Sequence, residues 1–64
     1  MKVKVNRTEV EIFEGARARH AVLQYFAQRH ISTSKLAGVK VYDIYGHLID
    51  LDAPLHDNDH IKLK

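Results

Sequence analysis

Apolar and polar residues alternate at both ends of this chain and follow a longer period between them. Val3 and Val5 alternate with Lys2 and Lys4, the period-two pattern of a half-buried strand. Val10 and Ile12 alternate with Glu9 and Glu11, so Glu9 to Phe13 reads as the returning strand of a hairpin. Asn6-Arg7-Thr8 is the turn between them. Asparagine suits the left-handed backbone of such a turn, and arginine adopts it less willingly than glycine. From Glu14 to His30 the period changes. Ala18, Val22, Phe26 and His30 recur every four residues, and Leu23 and Ala27 widen the same face. That spacing makes one stripe on a helix and would scatter on a strand. The helix is expected from about Arg17 to His30, opened by Gly15 and ended by Ile31-Ser32-Thr33-Ser34. Phe13 is placed to fold back onto its first turn.

The second half is cut into shorter pieces. Ser32 to Gly38 reads as a linker, with one turn around Lys35-Leu36. Val39 to Asp43 alternates as a third strand, Tyr45-Gly46 is a turn, and His47 to Asp50 is a short fourth strand. Leu51 to Asn58 is irregular, because Pro54 cannot sit in a central strand. Asp57-Asn58-Asp59 turns the chain into a last strand carrying Ile61 and Leu63. The expected class is α+β in the order ββαβ(β)β, a mixed sheet of four or five strands with one helix across one face. The first and last strands are its natural central pair. The expected core joins Val3, Val5, Val10, Ile12, Ala18, Val22, Leu23 and Phe26 to Val39, Val41, Leu48, Leu51, Leu55, Ile61 and Leu63.

Sixty-four residues make one domain, 1–64, with a small core. A chain of this length buries only about 60% of its unfolded surface. It has no cysteine, which excludes disulfides, iron–sulfur clusters and thiolate zinc sites. No run is long and apolar enough to span a membrane, so the cytoplasm is the expected compartment. Net charge is +2, too small to argue for nucleic acid. Its distribution is uneven. Residues 1–40 carry eight Lys and Arg against three Glu, a balance of +5. Residues 41–64 carry two Lys against five Asp, a balance of −3. Such a split makes a two-signed surface or simply two solvated halves.

Several short stretches carry a family resemblance. They are Met1-Lys2-Val3-Lys4-Val5-Asn6, Phe13-Glu14-Gly15-Ala16, Asp43-Ile44-Tyr45-Gly46 and Leu55-His56-Asp57-Asn58-Asp59-His60-Ile61. In this order they resemble the β-grasp (ubiquitin-like) superfamily. More narrowly they resemble its sulfur-carrier branch (ThiS/MoaD-like) and the related TGS domains. The resemblance spans nearly the whole chain and implies the fold rather than a chemistry. Those families commonly read Leu-x-Asp-Gly-Asp-x-Ile before the last strand; here Asn58 replaces the glycine. Sulfur carriers end in a Gly-Gly tail that is activated at its carboxylate, whereas this sequence reads Ile61-Lys62-Leu63-Lys64. Of the functions the resemblance implies, sulfur carriage therefore ranks last.

Two groups of residues are candidate sites. Arg17, Arg19 and His20 lie in the first helical turn, where free N–H groups and the helix dipole attract anions. Cations there cost a few tenths to about 1 kcal/mol. A bound phosphate, nucleotide, RNA backbone or acidic partner would account for that placement. Lys2, Lys4, Lys40, Tyr42 and Lys62 are expected on the sheet face the helix leaves open. Lysines around an aromatic suit a protein partner or single-stranded nucleic acid; ordinary packing of lysine stems on the ring is the simpler account. The five histidines are dispersed along the chain, which argues against a metal site. Ser32 and Ser34 have no recognisable base. The expectation is a non-catalytic module, without cofactor or metal, that docks a protein partner as a monomer or weak homodimer. The alternative is a TGS-like RNA- or nucleotide-binding module.

Overall fold

The computed structural model describes residues 1–64. Two strands open the chain, β1 (Lys2–Val5) and β2 (Thr8–Glu11). They pair antiparallel with Val3 opposite Val10 and Val5 opposite Thr8. The two residues between them, Asn6 and Arg7, have φ of 50° and 72°. Positive φ at both central positions is the type I′ hairpin turn, whose twist matches that of the strands it joins.

The main helix, α1, spans Ala18–Arg29. It buries Ala18, Ala21, Val22, Tyr25 and Phe26. The buried stripe thus leans toward Ala21 and Tyr25; Leu23 is only half-buried and Ala27 is exposed. His30 was expected on that stripe and is not. It sits in the left-handed conformation, φ 57°, and ends the helix. The Ile31 N–H donates back to the Phe26 carbonyl at 2.9 Å, which satisfies one of the last carbonyls. The expected linker contains a 3-10 helix over Thr33–Gly38, opened by the Ser32 hydroxyl accepting from the Ser34 N–H.

Three more strands complete the sheet: β3 (Val41–Tyr42), β4 (Leu48–Ile49) and β5 (His60–Leu63). The class is α+β, with a mixed five-stranded sheet and one main helix. Laterally the strands run β2-β1-β5-β3-β4, an order that differs from the order along the chain. The β1–β5 pair is parallel, and the other neighbours are antiparallel. The core lies between sheet and helix. Val3, Val5, Val10, Ile12, Val41 and Ile61 enter from the sheet side, and Leu55 and Ala16 enter from loops. Leu48 was expected in this core and is 65% exposed. Position 48 pairs with Tyr42, whereas Ile49 pairs with buried Val41. Strand residues alternate between faces, so a one-residue difference in register exchanges them. Val39, Leu51 and Leu63 are partly buried at the margin of the core.

Arg7 carries the clearest backbone cost in the fold. A non-glycine residue in the left-handed region loses about 1–2 kcal/mol. Arg7→Gly should therefore raise stability by about 0.5–1 kcal/mol after glycine's greater unfolded-state entropy is counted. Thermal unfolding checks this, with about 4–8 °C expected per kcal/mol in a domain of this size.

Candidate functional site

The N-terminus of α1 is built differently from an open anion site. Gly15, expected to cap the helix, lies two residues earlier in a turn, with φ 83°. The cap position belongs to Arg17. Arginine has no acceptor and cannot cap through its side chain. The His20 ring does part of that work: its Nδ1 accepts the Arg17 backbone N–H at 2.9 Å. The next two N–H groups are also taken. Ala18 donates to the Ala53 carbonyl at 2.9 Å and Arg19 to the Leu51 carbonyl at 2.8 Å. The loop between β4 and β5 has thus folded over the end of the helix. A backbone bridge from Arg17 to Pro54 and a 3.1 Å bond from the Leu55 N–H to the Ala16 carbonyl extend the contact.

Both arginines grip the same loop. Arg17 Nη1 donates to the Asp52 carbonyl at 2.6 Å, and Arg19 Nη2 donates to the Asp52 carboxylate. The first turn of α1 contains no acidic residue; Asp52 brings the negative charge to that end from the loop. The unfavourable placement of two cations at a helix N-terminus therefore has an internal counterpart. Arg17, Arg19 and His20 do come together in space, but each already has a partner within the chain.

The open face of the sheet is arranged otherwise. Strand register puts Lys4 beside His60, Lys62 beside Tyr42, and Tyr42 beside Leu48. Lys2 and Lys4 alternate with buried Val3 and Val5. Lys40 and Lys64 exchange two backbone hydrogen bonds, 3.2 and 3.0 Å, which continues the β3–β5 ladder and keeps both in the alternation of Tyr42 and Lys62. All five expected residues thus share one face, and Lys64 joins them with its Nζ 5.5 Å from the Tyr42 ring centre. Lys2 makes one loose contact with Glu9, 3.8 Å, between two exposed side chains. Lys4, Lys40 and Lys62 make no ion pair. Ile44, Tyr45 and Leu48, all exposed, add an apolar margin at the β3–β4 end.

Asp43, Asp50 and Asp59 have local tasks, while Asp57 and Asp52 reach Lys2 and Arg19 across the fold. Asp43 accepts from the Tyr45 and His47 N–H groups, Asp50 from Asp52, Asp57 from Lys2, and Asp59 from His56. A short carboxylate reaches a backbone two to four residues away, which is why aspartate rather than glutamate fills turns. The acidic excess after residue 40 is therefore largely turn chemistry. His47 and His56 each lie near one of these aspartates, Asp43 at 3.3 Å and Asp59 at 3.8 Å. No three histidine or acidic side chains converge as metal ligands would. No helix is long and apolar enough to cross a membrane. Compared with protein-family models, with curated proteins and with solved structures, the chain matches none.

Two outcomes follow from this geometry. Asp43 accepts hydrogen bonds from the His47 and Tyr45 backbone N–H groups, each 2.9 Å, which outweigh its partial burial and hold its carboxyl below the ordinary 3.8. A carboxyl lowered in the folded state stabilises the fold above its unfolded pKa and ceases to as pH falls through the folded one. Stability of the β3–β4 turn should thus be intact above about pH 4 and decline below it; in Asp43→Ala that part of the acid dependence disappears, as followed by the amide signals of residues 44–47 against pH. His20→Ala removes the only side-chain acceptor of a backbone N–H at the helix start and should cost about 0.5–2 kcal/mol in denaturant unfolding.

Proposed function

We propose that this chain is a non-catalytic docking module of the β-grasp type, which binds a protein partner through the open face of its sheet. The mixed five-stranded sheet with a parallel β1–β5 pair and one helix on one side is compatible with that fold. The observation that carries the reading is the contrast in charge use. The arginines at the helix and the aspartates in the turns are engaged within the chain. The lysines around Tyr42 are largely unengaged and lie on a single face. A ring flanked by cations and edged by Tyr45 and Leu48 suits an acidic surface with an apolar anchor. The aromatic and aliphatic side chains would supply contact area, and the lysines would supply orientation and encounter rate.

The RNA- or nucleotide-binding alternative rests on the helix N-terminus. Its first donors reach Leu51 and Ala53 instead, and its arginines reach Asp52. Geometry therefore favours the sheet face.

A titration separates the two. Labelled protein is mixed with an acidic polypeptide, poly-glutamate, and separately with a short RNA, each at low and moderate salt. Amide shifts at Lys4, Tyr42 and Lys62 with the polypeptide, weakening as salt rises, are expected. The double variant Lys4→Glu, Lys62→Glu should weaken that binding about tenfold or more, equivalent to about 1.4 kcal/mol. Shifts confined to residues 17–20 with RNA would overturn the reading in favour of the alternative.

A further inference from the structure

The open edge of β2 offers a second surface, at the margin of the face that carries Lys2 and Lys4. β2 ends the sheet on its side. In an antiparallel ladder, alternate residues direct their N–H and C=O toward the partner strand and the others direct theirs away. The phase is fixed by the ends. The Ile12 N–H donates to the Met1 carbonyl at 2.8 Å, and the Met1 amino group donates to the Ile12 carbonyl at 2.6 Å. Residues 8, 10 and 12 thus bond inward to β1. The N–H and C=O groups of Glu9 and Glu11 point outward, and no hydrogen bond within the chain takes them up. Two residues with four backbone groups form a short template for one more strand.

Two independent features lie beside that template. A groove of about 570 Å³ runs between the end of β2 and α1, lined by Glu11, Ile12, Phe13, His20, Leu23 and Gln24. Its outer wall is Phe13, 59% exposed and held edge-on to His20 with ring centres 4.8 Å apart. On the opposite side of the edge stand the carboxylates of Glu9 and Glu11. A strand lying along β2 would send alternate side chains to these two sides. One set would meet Phe13, Leu23 and Ile12; the other would meet Glu9 and Glu11.

We propose that the β2 edge binds an extended peptide segment of alternating basic and apolar residues by strand addition. The chain already shows this complementarity on β2's other side. Lys2 and Lys4 of β1 lie opposite Glu11 and Glu9, and Val3 and Val5 fill the core side. An added strand of like pattern repeats the arrangement outward, with backbone bonds for affinity and the alternation for selectivity. A second copy pairing antiparallel through its own β2 would set glutamate against glutamate, which disfavours self-association at this edge.

The probe is a capped peptide, Lys-Val-Lys-Val-Lys, with Glu-Val-Glu-Val-Glu as control. The readout is amide shift and hydrogen exchange of the labelled protein, residue by residue. The basic peptide is expected to slow exchange of the Glu9 and Glu11 amides about tenfold near saturation, to shift Phe13 and Leu23, and to leave the already bonded Thr8 and Val10 amides little changed. The acidic peptide should not protect Glu9 and Glu11. In the exposed-site variant Glu9→Lys, Glu11→Lys the preference should invert. No protection at Glu9 and Glu11, equal protection by both peptides, or protection at Leu48 and Ile49 instead would overturn the proposal. Each of these is distinguishable from failure of the sheet-face reading, which is scored at Lys4, Tyr42 and Lys62.

Discussion

The N-terminus of the helix is closed by the carbonyls of Leu51 and Ala53, and the arrangement of the rest depends on that closure. A helix start leaves backbone donors that need partners. Here the partners come from a loop more than thirty residues along the chain. Drawing that loop in brings Leu55 into the core and bonds the loop to fully buried Ala16 and Ala18. It also delivers the chain to the start of β5, which then pairs parallel with β1 in the centre of the sheet. The contact is local in space and long in sequence, as a small domain needs to gain cooperativity from a small core.

The same closure separates two kinds of charge. Arg17, Asp43, Asp50, Asp57 and Asp59 are spent on bonds to backbone groups, and Arg19 and Asp52 on each other. The lysines of the outer sheet face have no such use. Because the helix covers one side of the sheet only, those lysines and Tyr42 remain on a continuous surface. At its β2 margin the same face turns acidic, because Glu9 and Glu11 stand opposite Lys4 and Lys2. Two-signed character therefore arises from strand alternation and not from the difference between the two halves of the chain.

Much of the fold was legible because its signals are local. Alternation marked β1, β2 and β5, and Asn6 and Asn58 marked left-handed turns, with φ of 50° and 70°. The helix was legible by its period, though not its limits. Gly15 looked like a cap because glycine tolerates that place, but the turn it serves closes earlier. His30 looked helical because it continued the four-residue spacing, which says nothing of a left-handed stop. Leu48 was misplaced because a short strand beyond a turn leaves its register open by one residue. The sheet-face residues could be grouped from alternation alone. The helix-end residues could not be interpreted, because Leu51 and Ala53 act through backbone carbonyls that every residue possesses. The only side-chain signal of that contact was Asp52 in an otherwise irregular stretch.

Amide hydrogen exchange at Ala18 and Arg19, with and without inorganic phosphate, tests this closure most directly. First-turn amides of an uncapped helix exchange rapidly. Bonded to Ala53 and Leu51, these two should exchange slowly and respond little to phosphate. Rapid exchange at both, slowed by phosphate, would mean that the helix end is open to anions and would contradict the account.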